Sequence, residues 1–373
     1  MWRDRPAMRV RASTPIDRVE VAAFTVPTDA PESDGTLEWN ETTIVAVHVT
    51  AGDAIGLGYT YADVSAGILI EQLLADVVAG HDAMDVESCY VDMVHAVRNI
   101  GRAGIAATAI AALDISLWDL KARLLDLPLV SLLGGARDSV EVYGSGGFTS
   151  YSIDRLQAQL VEWAGKGIRA VKMKVGRDPT ADRMRVRAAR EAIGDCVELF
   201  VDANGAYDRK QAVSQADAFA SEGVSWFEEP VSSDDLAGLR LIRDRSPAGI
   251  EIAAGEYGYD VQYFSRMVGA GAVDVLQADA TRCCGVTGFL RAGAVCDAAC
   301  LPLSAHTAPS VHAHLCCAVS RVRNLEYFHD HVRVEHMLFD GALDPVEGEL
   351  RPDRSRPGLG IELKSRDAER FAV

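Results

Sequence analysis

The stretch AVKMKVG, residues 170–176, places two lysines inside a short and otherwise apolar run. Side chains in a strand alternate between faces, so Lys172 and Lys174 project to the same side and their charges share one environment. Burial and a neighbouring cation both lower the pKa of an amine. The pattern therefore predicts that at least one of these lysines is a base. The alternative is an edge strand with both lysines in solvent.

Acidic residues close three later strand-like runs. Asp202 and Glu228 are 26 residues apart, and Glu256 follows 28 residues later. Each interval matches one strand–helix unit, so the three carboxylates are expected to stand side by side. Adjacent buried carboxylates need a cation, and all-oxygen ligation suits Mg²⁺, with Mn²⁺ as a substitute. The alternative is that each acid caps the helix after its strand.

An aspartate and a histidine farther along the chain also lie at the ends of strand-like runs, at the same spacing. Asp279 and His306 are 27 residues apart, again about one unit. A carboxylate bonded to one imidazole nitrogen fixes the tautomer and makes the other nitrogen more basic. The sequence thus predicts two bases, Lys174 and His306, on opposite sides of a bound substrate. A histidine at a strand end is otherwise more often structural.

Eight short apolar or β-branched runs must position these residues. Helical segments separate them, and several of these end in glycine, which commonly stops a helix. Eight alternating units predict an α/β fold, a modified (β/α) TIM-type barrel with its active site at the strand C-termini. A doubly wound open sheet is the alternative, but no GxGxxG follows the first strand. The runs begin at residues 140, 170, 197, 226, 251, 273, 300 and 325.

The remaining sequence predicts three further parts around the barrel, which is expected to span residues 138–335. Residues 16–137 combine strand-like runs with helices and predict an N-terminal α+β capping domain. Residues 336–373 carry strand and turn signals and are expected to return to the capping domain. Residues 1–15 lack an apolar signal-peptide core and are predicted to be a flexible tail.

The composition argues against several classes of function. The chain has 373 residues, 49% of them hydrophobic, and a formal net charge of −17. That charge disfavours nucleic acid and anionic membrane surfaces as partners, and no apolar run of about 18 residues predicts a membrane span. Eight cysteines with no CxxC spacing are expected to be reduced thiols, which indicates a cytoplasmic protein.

These residues and several local stretches together resemble the mandelate racemase group of the enolase superfamily. The resemblance covers the chain from about residue 16 onward, and the order and spacing of its motifs are specific. One departure is the pair Cys283 and Cys284 after Arg282, where the family usually has Arg-x-Gly-Gly; the cysteine in place of glycine would reshape the pocket edge near Asp279 or fill space. The supporting stretches are AIAALDISLWDLKARLLDLPLVSLLGG at 109–135, WFEEP at 226–230, ADATRCCGVTGFLRA from 278 and PGLGIEL from 357.

The resemblance implies a Mg²⁺ enolisation site beneath the capping domain, with a small carboxylate such as an acid sugar as substrate. Lys174 would be one base, and Lys172 would lower its pKa. His306, supported by Asp279, would be the other base or acid. Barrels of this kind are often symmetric, so a homo-oligomer is also expected.

The resemblance also implies roles for three further polar residues. Glu326 would hydrogen-bond the substrate carboxylate on the side opposite the metal. Asn204 would contact the substrate, and Glu229 would lie behind the metal ligands. In the capping domain, Trp39 and Tyr59 are candidate lid contacts.

Two histidines follow the eighth strand closely. His329 and His331 belong to an HDH sequence. They are expected to form a loop or to contact the distal end of the substrate, with metal binding as the alternative.

Two reactions would share the first step, removal of the proton α to the carboxylate. If a hydroxyl lies β to the carboxylate, His306 as imidazolium can protonate it, and loss of water gives a 2-keto-3-deoxy acid. Otherwise, protonation on the opposite face gives a racemase or epimerase of a 2-hydroxy acid. Because most of the resembling group are sugar-acid dehydratases, dehydration of an aldonate or aldarate is favoured. A non-catalytic binding protein and a Schiff-base aldolase are the alternatives of other classes.

Overall fold

A computed structural model describes residues 13–373, so residues 1–12 of the predicted tail lie outside the described part. The first described unit is an antiparallel sheet in the order β1–β2–β3, followed by helices. Its strands are β1 (Arg18–Ser33), β2 (Glu38–Ala51) and β3 (Ala54–Tyr61). The helices are α1 (Ser65–Leu69), a π-helical segment (Ile70–Leu74), α2 (Ala75–Val78), α3 (Val86–Ala96), α4 (Ile105–Leu124) and α5 (Leu129–Leu132).

The second unit alternates strands and helices eight times. Its strands are β4 (Val140–Gly146), β5 (Ala170–Lys174), β6 (Glu198–Asp202), β7 (Val224–Glu228), β8 (Glu251–Ala254), β9 (Val275–Ala278), β10 (Leu303–Ala305) and β11 (Val322–Phe328). Its helices are α6 (Ile153–Gly165), α7 (Pro179–Ile193), α8 (Arg209–Ala220), α9 (Leu236–Arg245), α10 (Val261–Gly269), α11 (Gly285–Ala298), α12 (Pro309–Ala318) and α13 (His329–Leu338).

The eight strands form a closed parallel barrel. Each strand from β4 to β11 pairs with the next, and β11 pairs in parallel with β4, which closes the ring. The predicted modified TIM-type barrel with a capping domain is therefore confirmed, and the doubly wound sheet is wrong. Closure matters for function because all eight strand C-termini then face one mouth.

Helix α4 joins the capping sheet to the barrel. It is buried along most of its length, and glycines in β3 let it approach closely: a Cβ on Gly58 would lie 2.1 Å from the Ala112 oxygen. From the other side of α4, Asp114 accepts hydrogen bonds from the Thr287 backbone N–H at 2.9 Å and from its hydroxyl at 2.7 Å. Since Thr287 lies in the first turn of α11, this contact fixes the cap against the barrel.

The last segment contacts both units. It contains β12 (Phe339–Asp340), β13 (Glu349–Leu350), β14 (Glu362–Leu363), α14 (Ser365–Ala368) and a 3₁₀ turn (Glu369–Phe371). Strand β13 pairs antiparallel with β4, and the Val373 N–H donates to the Ala23 oxygen of β1 at 3.1 Å. None of the described helices is both long enough and apolar enough to cross a membrane.

Candidate active site

Strand β5 carries both lysines into the barrel interior. It lies between β4 and β6, so the alternative of an edge strand is wrong. Lys172 is fully buried and Lys174 is 5% exposed. The parallel register sets Lys174 opposite Asp202 and Asp202 opposite Glu228, which places these side chains at one level of the barrel.

Asp202, Glu228 and Glu256 converge at this level. Each offers one carboxylate oxygen, these oxygens lie within 4.8 Å of one another, and all three residues are buried. Three oxygen donors in one place match the preference of Mg²⁺. The triad is thus a candidate metal centre.

The helix-capping alternative for these acids is wrong. The following helices are capped by other aspartates, whose side chains accept backbone N–H hydrogen bonds. These are Asp208 for α8, Asp235 for α9 and Asp260 for α10. The metal-candidate carboxylates are therefore free for another role.

The lysines contact the same carboxylates. Lys172 Nζ contacts Glu228 and lies 2.9 Å from Glu326 Oε1 and 3.5 Å from Asp202 Oδ2. Lys174 Nζ contacts Asp202. Five charged side chains of the barrel interior thereby form one network.

This network reverses the expected pKa shift of the lysines. Burial alone would lower the pKa of Lys172, but the charges of Glu228 and Glu326 outweigh it and hold the pKa well above its usual value. Burial likewise opposes the charge of Asp202 at Lys174, whose pKa is also raised. The expectation that one lysine has a lowered pKa is wrong for this arrangement, because the charges of the surrounding carboxylates outweigh burial at both ammonium groups.

His306 lies across the barrel from β5. Its Nδ1 is 2.8 Å from Asp279 Oδ2, and its Nε2 is 3.0 Å from Glu256 Oε2 and 3.5 Å from Glu326 Oε2. Burial would lower its pKa, but Glu256, Glu326 and the Asp279 hydrogen bond raise it to about 10. The predicted Asp279–His306 pair is brought together.

The other predicted residues lie around this network. The backbone N–H of Asn204 donates to Asp202 at 2.9 Å. Glu229 is buried, and its Oε1 has no hydrogen-bond partner among the described residues. Both residues have positive φ, 46° for Asn204 and 37° for Glu229, a strained backbone of the kind found at functional sites.

Arg282 also belongs to the site, although the spacing of the strand ends does not predict a role for it. Its guanidinium lies 3.2 Å from Glu256 and 3.7 Å from Asp279, and stacks over the Tyr257 ring at 5.0 Å. The signal was its position three residues after Asp279. Cys284 turns away: it is buried in a hydrophobic cluster of the cap and does not line the cavity, so it fills space.

A cavity of about 320 Å³ lies above the network, between barrel and cap. Trp39, a predicted lid contact, lines it. Tyr59 does not, and that prediction is wrong: it is fully buried and donates a 2.5 Å hydrogen bond to Glu335. Tyr61 takes its place. The lining residues are Asp34, Leu37, Trp39, Glu41, Thr42 and Tyr61 from the cap and Lys174, Asn204, Glu256, Tyr257, Arg282, His306, Thr307, Glu326, Phe328 and His331 from the barrel.

Another cavity, of about 280 Å³, lies at the opposite end of the barrel. Its charged side chains face one another, with Arg169 3.6 Å from Glu141 and Arg323 3.9 Å from Glu198. Strand N-termini surround it, whereas barrel enzymes work at the strand C-termini. The chemistry is therefore assigned to the mouth beneath the cap.

Both halves of the chain match family models. Residues 18–134 match the mandelate racemase / muconate lactonizing enzyme N-terminal domain, and residues 155–368 match the enolase C-terminal domain-like family. An L-talarate/galactarate dehydratase from Salmonella typhimurium is 32% identical over 368 residues, which cover 95% of this chain and 90% of that protein.

Solved structures agree with this fold. A mandelate racemase/muconate lactonizing enzyme-like protein from Rubrobacter xylanophilus has 57% identity and a TM-score of 0.95, and the match covers 96% of this chain and 100% of that one. A racemase from Streptomyces coelicolor A3(2) with bound magnesium has 31% identity and a TM-score of 0.91, with the same coverage.

Proposed function

The chain belongs to the mandelate racemase group of the enolase superfamily, and we propose that it removes the proton α to the carboxylate of an acid sugar and then eliminates water. One observation carries this proposal. The carboxylate triad of Asp202, Glu228 and Glu256 has an amine, Lys174, on one flank and an imidazole, His306, on the other.

The triad fits Mg²⁺, because its three donors are all carboxylate oxygens, and Mn²⁺ would suit the same donors. When bound, Mg²⁺ would neutralise charge on the substrate carboxylate and so acidify the neighbouring C–H bond. Asp202 would then divide its charge between two cations, which lowers the pKa of Lys174 and frees it as a base.

Lys174 and His306 divide the proton transfers between them. The neutral Nζ of Lys174 takes the α proton, and the electrons of that C–H bond move into the substrate carboxylate to give an enediolate. In a second step these electrons form the carbon–carbon double bond as the β C–O bond breaks. The departing hydroxyl takes a proton from His306 Nε2 and leaves as water. The resulting enol becomes a 2-keto-3-deoxy acid. The hydrogen bond between His306 Nδ1 and Asp279 stabilises the imidazolium and supports the role of His306 as the acid.

The remaining site residues orient these groups. Asp279 holds His306 through Nδ1, so that Nε2 faces the substrate. Glu326 Oε1 accepts a hydrogen bond from the Ser145 hydroxyl at 2.6 Å, whereas Glu326 Oε2 has no hydrogen-bond partner among the described residues. With a proton on that oxygen, favoured by the negative charge of an approaching carboxylate, Glu326 would donate a hydrogen bond to one oxygen of the substrate carboxylate. Lys172, behind Glu228, balances the charge of the carboxylates.

Racemisation is the second candidate. His306 lies on the flank opposite Lys174 and, as imidazolium, could deliver a proton to the other face of the same carbon, becoming neutral in that step. The relative from Streptomyces coelicolor A3(2) is named a racemase. A binding protein without turnover is the candidate of another class, and the intact pair of bases argues against it.

Proton exchange in D₂O distinguishes these functions. The Mg²⁺-loaded protein is incubated with aldonates, aldarates and other 2-hydroxy acids, and the products are read by NMR and a keto-acid assay. Keto-acid release is the expected result, and deuterium incorporation with inversion identifies a racemase. No exchange with any compound contradicts the proposal.

Two variants assign the steps. His306→Asn keeps the Lys174 base and should exchange the α proton without losing water. Lys174→Met should lose both exchange and elimination. Equal loss in both variants would contradict the division of roles.

A further inference from the structure

The two ends of the cavity differ in charge. Among the described residues that line it, the basic side chains other than His331 are Lys174, Arg282 and His306, and all three are held at the catalytic end. Lys174 contacts Asp202, and Arg282 and His306 both contact carboxylates of the site. No lining cation among the described residues is left for a second carboxylate of the substrate.

The cap side of the cavity carries acids instead. The Asp34 side chain accepts the backbone N–H groups of Thr36 at 2.6 Å and Leu37 at 2.7 Å, so its negative charge is fixed beside the cavity. Glu41 lies at the exposed rim. A distal carboxylate on the substrate would face like charges, a juxtaposition that costs several kcal/mol in an interface.

His331 supplies a neutral hydrogen-bonding group in the same cavity. Its ring stacks on Tyr61, with centroids 3.4 Å apart, and meets the edge of Phe328 at 5.1 Å. The Tyr61 hydroxyl also donates to the backbone carbonyl oxygen of His331 at 3.3 Å, which ties the two residues together, while Tyr61 and Phe328 hold the ring. His331 is 8% exposed, and its Nδ1 has no hydrogen-bond partner among the described residues.

The charge state of His331 suits a neutral ligand. Burial, together with the charge of His306, lowers its pKa to about 3, so the ring is uncharged at neutral pH. A carboxylate binds best to charged donors, whereas a hydroxyl can both donate to and accept from a neutral imidazole.

We propose that the substrate is a monocarboxylic sugar acid, an aldonate rather than an aldarate, and that His331 binds one of its distal hydroxyl groups. This inference rests on the proposed function and narrows it. The catalytic network holds the single carboxylate, and the acidic cap side with His331 accepts the uncharged polyol end.

Matched substrate pairs test the inference. Pentonates and hexonates of each configuration are assayed beside the dicarboxylic acid of the same configuration, with Mg²⁺ present. The preferred aldonate should exceed its aldarate by at least about a hundredfold in kcat/KM. An aldarate turned over as well as or better than every aldonate overturns the inference and leaves the proposed function standing. No turnover of any acid sugar overturns the proposed function itself.

Two variants of His331 test the hydrogen bond. His331→Phe keeps the stack on Tyr61 but removes the nitrogen, and should raise KM for the aldonate about tenfold with kcat nearly unchanged. His331→Asn restores a hydrogen-bonding group and should recover most of that loss. The corresponding aldonate lacking the distal hydroxyls should show no difference between wild type and His331→Phe. An unchanged KM in His331→Phe contradicts the role of His331.

Reversing the rim charge tests the electrostatic argument. Glu41 is exposed, so Glu41→Arg should fold, and it should raise kcat/KM for the aldarate at least about tenfold. Glu41→Gln is the control and should give a smaller gain of the same sign. If neither variant improves the aldarate, the charge of the rim does not set this preference.

Discussion

The protein buries carboxylates in two regions and satisfies them in different ways. Where the cap meets the barrel, Asp114 accepts two hydrogen bonds from Thr287. Glu335 accepts from the Tyr59 hydroxyl and from the Ser310 hydroxyl, both at 2.5 Å, and from the Ser310 N–H at 3.0 Å. All these donors are neutral. Burial raises the pKa of both carboxyl groups to about 7.

At the barrel mouth the carboxylates instead meet cations. Asp202 contacts Lys174, and Glu256 lies beside His306. These charges outweigh burial and hold the pKa of Asp202 below its usual value and that of Glu256 well below it. Neutral donors fix a carboxylate as part of the scaffold, whereas these cations can give way to a metal ion and a substrate. Glu228 differs from these two, because burial and the charge of Asp202 raise its pKa to about 8 although it contacts Lys172. What separates the two regions is therefore the kind of partner, neutral donors in one and cations in the other.

The largest effect is expected from removing a metal ligand. Asp202→Asn should lower kcat/KM by at least about a thousandfold, because a Lewis-acid ion contributes several kcal/mol to catalysis. It should also lose the stabilisation by Mg²⁺ that the wild type shows in thermal unfolding, about 3 kcal/mol at a hundred times Kd. Asp114→Asn is the matched control at the interface and should keep both properties. A normal Mg²⁺ response in Asp202→Asn would break the comparison.

Removing the base should separate catalysis from metal binding. Lys174→Met should lower kcat about 10²- to 10⁴-fold, the usual contribution of a general base. Stabilisation by Mg²⁺ should persist, since the triad remains. Calorimetric titration with Mg²⁺ beside the activity assay measures both, and loss of Mg²⁺ binding would show that Lys174 is needed to build the site.

Buried carboxylates of the two regions should change the free energy of unfolding with pH in opposite directions. The pKa of Asp114 is about 7 when folded and near 4 when unfolded, so the folded state holds the extra proton. Its contribution to the free energy of unfolding is complete below about pH 4 and is lost as pH rises to 7. The loss amounts to a few kcal/mol, at about 1.4 kcal/mol per pKa unit.

Urea unfolding at several pH values measures this effect. The stability difference between wild type and Asp114→Asn should shift against the wild type as pH rises from 4 to 8. Asp279 shows the opposite dependence on pH. Burial would raise its pKa, but the hydrogen bond to His306 and the charge of that residue lower it, so the contribution of Asp279 to the free energy of unfolding is lost as pH falls. The same sign for Asp114→Asn and Asp279→Asn would contradict the comparison.

Deleting the interface carboxylate should destabilise the protein without disabling it. Asp114→Ala leaves the Thr287 donors unsatisfied, which costs about 1–3 kcal/mol. kcat should stay within about twofold because no catalytic group is touched. Chemical denaturation and steady-state kinetics on one preparation test this, and a large fall in kcat with unchanged stability would reverse the assignment.

The smallest effect is expected at Cys284. Its φ of 66° favours glycine, so Cys284→Gly should relieve about 1 kcal/mol of strain and lose a similar amount of buried surface. Calorimetry should show a change in stability below about 1 kcal/mol, with unchanged activity. A tenfold loss of activity would place Cys284 in the pocket edge after all.

The sequence predicted the features that recur once in every strand–helix unit. Intervals of 26 to 28 residues gave the triad and the Asp279–His306 pair, because parallel strands bring equivalent ends together. Docking of the cap could not be obtained this way. Tyr59 and Tyr61 share one strand face, and only the packed structure shows that Tyr61 reaches the cavity and stacks on His331, 270 residues away. The direction of the pKa shift of the two lysines could not be predicted from the sequence either, because it depends on carboxylates from other strands.

The most direct test of the metal centre is anomalous diffraction from crystals soaked in Mn²⁺. One strong peak should lie within about 2.2 Å of oxygens from Asp202, Glu228 and Glu256. A second acidic group, Asp29, Glu32 and His329, brings its ligand atoms equally close, within 4.8 Å, and serves as the internal comparison. A peak only at that second group, or none at the triad, would contradict the account.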